Sequence, residues 1–212
     1  AGNNHLRGDD GADIIYGGGG NDTIAGNYMN PSMYWGAGGP SDRDLRQWST
    51  DSSRNENDIL HGQAGVDLLI GTAGDNTLDG GTGADTIYSG TGSDTIILRV
   101  GDGGSTLAAA DTIKDFADGS DVLGLDNNLQ YGQLTIAQGT GSNSSDTIIS
   151  VTSSSEYLAI LTGITASNVN YFDVASMATG NQTLSGTSED DVLIGAAGID
   201  TVTTNTGTDV IL

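Results

Sequence analysis

The sequence predicts an all-β fold in which short strands stack into a solenoid, and three observations carry the prediction. The chain repeats with a period of nine residues, glycine recurs at fixed places in the period, and a large aliphatic residue recurs at its eighth place. Residues 8–16 read GDDGADIIY and 17–25 read GGGGNDTIA. After an interruption the frame resumes as NENDILH (55–61), GQAGVDLLI (62–70), GTAGDNTLD (71–79), GGTGADTIY (80–88) and SGTGSDTII (89–97). A second array follows with GTSEDDVLI (186–194), GAAGIDTVT (195–203) and TNTGTDVIL (204–212).

Each part of the period has its own physical reason. Glycine at positions 1, 2 and 4 permits positive φ and close approach of backbones, so the first six residues form a tight turn. These glycines are Gly8 and Gly11, then Gly17, Gly18 and Gly20, Gly62 and Gly65, Gly71 and Gly74, Gly80 and Gly83, Gly90 and Gly92, with Gly195, Gly198 and Gly207 in the second array. The last three residues form a short strand whose central side chain points inward. Ile15, Ile24, Leu60, Leu69, Leu78, Ile87 and Ile96 therefore stack into one core.

Composition narrows the function. Among 212 residues, 28 acidic groups face 6 basic ones, for a net charge of −22. That excludes an electrostatic nucleic-acid binder, which needs clustered Lys and Arg. No apolar run of about 18 residues marks a membrane span. With no cysteine, disulfides, thiolate zinc sites and thiol nucleophiles are excluded as well. Of the acidic residues only Glu56, Glu156 and Glu189 are glutamate. Short, stiff aspartate beside abundant glycine suggests carboxylates held in turns, as hard-cation ligation requires.

The units match G-G-x-G-x-D-x-U-x, with U a large aliphatic, and so resemble the calcium-binding nonapeptide of the RTX family of secreted bacterial proteins. The resemblance covers roughly half the chain. It implies a right-handed parallel β-roll, loaded with several Ca²⁺ ions, in which two nonapeptides make one coil. It also implies that the position-6 aspartates of successive turns share a Ca²⁺, with glycine-turn carbonyls completing the shell. One edge would carry Asp13, Asp58, Asn76 and Asp94, the other Asp22, Asp67 and Asp85, and the second array Asp191, Asp200 and Asp209. Asn76 gives up a charge, and Gln182 stands at position 6 of the partial unit before Asp191, so sites sharing them should be weaker or empty.

Three regions follow from the frame: a first array at 1–97, a non-repeat β segment at 98–179, and a second array at 180–212 that packs with the rest. The first array is interrupted at 28–54, where a loop with a short helix is expected from the capping-box spacing of Ser41 to Asp44. Trp35, Trp48, Tyr34, Arg43 and Arg46 make that insertion either a partner patch or a lid on the roll. The middle segment has strand-like runs at 112–116, 121–125, 134–137, 147–151, 157–161 and 171–174, with antiparallel or irregular pairing expected. There Asp111, Asp115, Asp118 and Asp121 are candidates for one further cation, against a plain turn with a solvated edge. Outward positions 7 and 9 hold Ile14, Tyr16, Ile59, Leu68, Ile70, Tyr88 and Ile97, which implies strands covered on both faces. His5 and His61 are expected as exposed strand residues. Neither end has a polar capping unit, and with no initiator Met the start is expected to be either a processing point or a cut made in a larger protein.

These features point to an extracellular, non-enzymatic module that folds on calcium after type I secretion. Extracellular calcium modules bind in the range of about 10⁻⁴ to 10⁻³ M. At free calcium about ten times Kd each ion contributes about 1.4 kcal/mol, so about five ions contribute roughly 7 kcal/mol, comparable with a domain's whole stability. Self-association into a filament or lattice, as an S-layer, matrix-fibre or adhesin building block, is the preferred role. The alternative is the C-terminal secretion tail of a larger protease, lipase or polysaccharide-active enzyme. No G-x-S-x-G, H-E-x-x-H or P-loop motif is present. The outward threonine rows are too broken for an ice-binding face.

Overall fold

The computed structural model describes residues 2–26, 56–177, 183–185, 192–193, 201–204, 206–208 and 210–211. The nonapeptides form strands that alternate between two sheets. One sheet receives β1 (His5–Arg7), β3 (Thr23–Ala25), β5 (Leu68–Ile70), β7 (Thr86–Tyr88) and β9 (Asp111–Ile113), all parallel. The other receives β2 (Ile14–Gly19), β4 (Ile59–Ala64), β6 (Thr77–Thr82), β8 (Thr95–Leu98), β10 (Val122–Leu125) and β14 (Val174–Ser176), also parallel. Strands β2, β4 and β6 run six residues, on through their glycines, rather than the three expected.

Register confirms one coil per two nonapeptides. Leu60 lies opposite Leu78, Leu78 opposite Ile96, and Leu69 opposite Ile87. Across the insertion, Ile24 still lies opposite Leu69 and Ile15 opposite Leu60, so the added residues leave the stacking intact. Ile24, Leu60, Leu69, Leu78, Ile87 and Ile96 are fully buried in one cluster, with Ile15 partly buried against it. Burial of each such side chain is worth about 1.5–3 kcal/mol.

Both sheets continue past residue 97. Ile113 follows Ile87 and Leu123 follows Ile96 in the core, so β9 and β10 are parallel rungs and not the antiparallel or irregular strands expected there. Their aliphatics keep the roll's inward row after the glycine signature has gone. The antiparallel part is a meander of β11 (Leu134–Gln138), β12 (Thr147–Val151) and β13 (Tyr157–Leu161), and β13 joins β9 in parallel. The run at 171–174 divides into a 3-10 turn (Tyr171–Asp173) and the start of β14. In the second array β15 (Thr183–Ser185) pairs with β17 (Thr201–Thr203), and β16 (Val192–Leu193) with β18 (Val210–Ile211), again in parallel.

The outward face is only partly covered. Ile70, Tyr88 and Ile97 are buried, but Ile14 and Tyr16 are 60% and 58% exposed. Both sit on β2, which among the described residues is the last strand of its sheet, with a neighbouring strand on one side only. His61 is half-buried rather than exposed: its ring stacks on Tyr16 at 4.8 Å, and its Nδ1 lies 3.1 Å from Asp79 Oδ2. Among the described residues no helix is long and apolar enough to cross a membrane.

Candidate metal centre

Position 6 of each unit is the point where a turn enters its strand, and the coil stacks these positions into two columns. One column holds Asp13, Asp58, Asn76 and Asp94 and is extended by Asp121; the other holds Asn4, Asp22, Asp67 and Asp85 and is extended by Asp111. Within each column the backbone N–H of one rung donates to the side-chain Oδ1 of the next. In the first column Asp13 donates to Asp58, Asp58 to Asn76, Asn76 to Asp94 and Asp94 to Asp121, at 2.8–3.1 Å. In the second Asn4 donates to Asp22, Asp22 to Asp67, Asp67 to Asp85 and Asp85 to Asp111, at 2.6–2.9 Å.

Those bonds occupy one carboxylate oxygen and leave the other. Oδ2 of Asp13, Asp22, Asp58, Asp67, Asp85 and Asp94 is buried without a hydrogen-bond partner. The glycine at position 1 shows where these oxygens point. A Cβ built on Gly17 would lie 2.6 Å from Asp22 Oδ2 and 2.8 Å from the Gly62 carbonyl oxygen. On Gly62 it would lie 2.5 Å from both Asp67 Oδ2 and the Gly80 carbonyl oxygen. Gly8 stands likewise between Asp13 and the Gly26 carbonyl, and Gly26 between Asp58 and the Gly71 carbonyl. Bare carboxylate oxygens thus gather beside carbonyl oxygens, a set of acceptors with no proton among them. A buried acceptor left in this way costs the full desolvation of the group.

The glycines therefore serve two purposes. Position 4 takes positive φ, as at Gly20 (116°) and Gly74 (116°), and position 2 does so even where it is Asp9, Gln63 or Thr72. Position 1 is not left-handed; it is glycine because a side chain would occupy the space of the carboxylate.

Burial pushes the Asp58 carboxyl up to about 6, and Asp85 and Asp94 up to about 7. The N–H bond each accepts offsets this in part, and neighbouring carboxylates add to it. Asp67 and Asp121 are also raised, and Asp111 well above the usual range, by burial first. Paired carboxylate oxygens with carbonyl oxygens are the donor set of a hard cation, and the site fits Ca²⁺ in chemistry and in its six buried Oδ2 atoms that take no hydrogen bond. Among the described residues no three carboxylates or imidazoles converge on one point, so carbonyls have to complete any shell.

Asn76 does not fit. Its Oδ1 accepts from Asp58 like its neighbours, but its Nδ2 donates to the Gly74 carbonyl at 3.1 Å. This rung meets its acceptor with a proton of its own. Asn4 does the same with the Gly17 carbonyl at 3.2 Å.

Asp111, Asp115 and Asp121 do not share one site as expected. Asp111 continues the second column and Asp121 the first, because β9 and β10 belong to different sheets. Asp115 accepts from the Ser89 and Gly90 N–H groups, beside Asp121. Asp191, Asp200, Asp209, Gly195, Gly198 and Gln182 lie outside the described residues, as do the insertion and its Trp35, Trp48, Tyr34, Arg43 and Arg46. Gly207 has φ 129°.

Two features escape a reading based on the ligand frame alone. Position 5 carries an Asx ladder: Asn3 and Asn21 accept from Asn21 and Val66, and Asn57 and Asp75 accept from Asp75 and Ser93, at 2.8–3.1 Å. Its signal is the Asn or Asp immediately before the position-6 residue. Arg99 forms the second, with paired bonds to Asp79 at 2.8 and 2.9 Å and further contacts to Asp102 and Asp126. A lone arginine outside the repeat gives no sequence signal for this.

The profile of the RTX calcium-binding nonapeptide repeat matches the chain in four copies, over residues 1–27, 55–78, 61–96 and 178–211. No curated protein matches. Among solved structures, the AlgE6R2 subunit of the Azotobacter vinelandii mannuronan C5-epimerase is 19% identical over 77% of this chain and 91% of its own, with a TM-score of 0.46. The AlgE6R3 subunit of that epimerase is 21% identical over 79% and 80%, with a TM-score of 0.34. The extracellular lipase LipA of Serratia marcescens is 20% identical over 82% of this chain and 37% of the lipase, with a TM-score of 0.41. The matched repeats at 1–27 and 55–96 are the units that stack into the two carboxylate columns, so the chain carries RTX calcium-binding nonapeptide repeats, and what these repeats bind is calcium.

Proposed function

We propose that this chain is an extracellular structural module whose folding is set by calcium and which assembles with further copies of itself. The observation that carries the calcium part is the set of six buried, partnerless Oδ2 atoms stacked in two columns. Without cations the columns bring like charges together in the interior, and a chain of net charge −22 has few basic groups to answer them. At the low free calcium of a cytosol the chain would stay loose enough for export, and outside the cell the ions would fold it.

Assembly is supported by the end of the roll at β1 and β2. Among the described residues both are edge strands of their sheets, and the exposed Ile14 and Tyr16 lie beside them. Unpaired edges with apolar neighbours are sites where another chain adds strands. Head-to-tail contact gives a filament where the rotation does not close. Electron microscopy of the purified chain with millimolar calcium and with excess chelator tests this. Filaments or lattices in calcium alone are expected, and monodisperse monomers in calcium would overturn the assembly part while leaving calcium-driven folding standing.

A further inference from the structure

We propose that β11 (Leu134–Gln138) pairs with the β11 of a second copy of this chain about a two-fold axis, joining two meanders into one antiparallel sheet. The proposal shares with the function above only the premise that copies associate, and it uses the opposite end of the eight-stranded sheet from β1.

The meander is set apart by its charge. Residues 127–172 hold only two of the chain's 28 acidic groups, Asp146 and Glu156, and none of its 6 basic ones. Both carboxylates are engaged inside the chain. Asp146 is buried and accepts from the Gly163 N–H at 2.9 Å and from Asn143 Nδ2 at 3.1 Å. Glu156 accepts from the N–H groups of Gly101 at 2.7 Å and Gly103 at 3.2 Å. A chain of net charge −22 repels its own copies over a range of about 10 Å at 0.1 M salt. The uncharged meander is where a second copy approaches against the least repulsion.

β11 is also an open edge, and its form suits its own copy. Among the described residues it ends its sheet and pairs with β12 alone. Proteins blunt such edges with charge, proline or a bulge. β11 has no charged residue and no proline, and its register with β12 is unbroken. In that register the Gln133 carbonyl accepts from the Thr152 N–H, and the Gly139 N–H donates to the Asp146 carbonyl. Hydrogen-bonded pairs with β12 therefore fall on the odd-numbered residues, so the backbone groups of Leu134, Ile136 and Gln138 face the open side. Of these, the Leu134 N–H is bonded to the Tyr131 carbonyl. The rest form a set symmetric about Ile136. An antiparallel copy centred there gives Ile136 two reciprocal bonds with its counterpart and sets each Gln138 N–H on the other copy's Leu134 carbonyl. Leu134 and Ile136 turn toward the core, so the pairing would extend the apolar face of the sheet. The ends of the strand are met within the chain: β16 lies against the preceding 3-10 turn (Tyr131–Gln133), and the Ala166 N–H donates to Gln138 Oε1 at 3.0 Å. Between them Thr135 and Ala137 stay exposed.

Crosslinking in millimolar calcium tests the pairing. The chain has no cysteine, so Ala137→Cys places a single thiol on β11. In the two-fold register that thiol lies diagonal to its counterpart, with backbones about 7–8 Å apart, within reach of a short bismaleimide. A covalent dimer is expected from Ala137→Cys and none from Val66→Cys, which is exposed on a repeat turn. By sedimentation, Ala137→Glu is expected to weaken the dimer at least about tenfold with unchanged circular dichroism, because it sets like charges across the axis. If that variant fails to fold, the crosslink alone decides. Absence of the crosslink at 137 would overturn the interface, as would equal crosslinking at 66 or a folded Ala137→Glu variant that associates like the parent. Filaments without the crosslink would leave the head-to-tail assembly standing, whereas crosslinked dimers that build no filament would do the reverse, so the two failures are distinguishable.

Discussion

At the scale of single residues, the two atoms of each position-6 carboxylate have separate duties. Oδ1 fixes the register of the next rung, and Oδ2 waits beside a carbonyl for a cation. Gly62→Ala places a methyl group on Asp67 Oδ2 and the Gly80 carbonyl without any change of φ sign. It should remove one bound calcium and lower calcium-loaded stability by at least about 1.4 kcal/mol at free calcium near ten times Kd, measured by ion counting and chemical unfolding. Asn76→Asp is the reverse experiment. It exchanges the amide proton on the Gly74 carbonyl for a bare oxygen, so the variant should bind one ion more than the parent and be less stable than the parent in chelator. An unchanged count would show that the Asn76 rung behaves like its aspartate neighbours.

At the scale of elements, the repeat was legible because turn and strand each carry a separate signal, glycine for the one and a single aliphatic for the other. Every rung from β2 to β8 could be placed from that pattern. The rungs at β9 and β10 could not, because Asp115 and the turn around it replace the glycine signature while Ile113 and Leu123 keep the inward row. The ligand aspartates were visible at position 6, but not the division of Asp111 from Asp121, which only sheet membership decides. Arg99 was invisible for a different reason: Asp102 is three residues on, but Asp79 and Asp126 are distant in sequence and share no spacing. It ties β6 to the loop after β8 and to the end of β10. Burial raises the Asp79 carboxyl, but the Arg99 guanidinium outweighs this and holds it below the usual range. This pair therefore stabilises the fold above the ordinary carboxylate range and loses that effect as pH falls through the folded-state value of Asp79. Arg99→Met should cost on the order of 3 kcal/mol at neutral pH, because it strands a buried carboxylate. Denaturant midpoints of parent and variant at saturating calcium check this, and a cost below about 1 kcal/mol would remove Arg99 as the tie between β6 and the segments after β8 and β10.

At the scale of the whole molecule, the carboxylate columns respond to pH in the opposite sense to Asp79. Asp58, at about 6, and Asp85 and Asp94, at about 7, are raised in the calcium-free fold above the ordinary value near 4 of an unfolded chain. Between about pH 4 and 7 the calcium-free fold thus binds more protons than the unfolded chain. Its stability should rise as pH falls through 7, be complete below about 4, and be lost as pH climbs back. Protons and calcium compete for the same oxygens, so calcium affinity should fall as pH drops below 7, as calorimetry at pH 5.5 and 7.5 would measure. The charge of −22 is accordingly a property of the ion-free chain, and each bound Ca²⁺ offsets two units of it. Circular dichroism with thermal melting at pH 7.5, in millimolar calcium and in excess EGTA, tests calcium-driven folding most directly. The predicted result is a cooperative β spectrum in calcium and a largely unfolded chain in EGTA, reversed by adding calcium back. The same β-content and melting temperature in both conditions would contradict it.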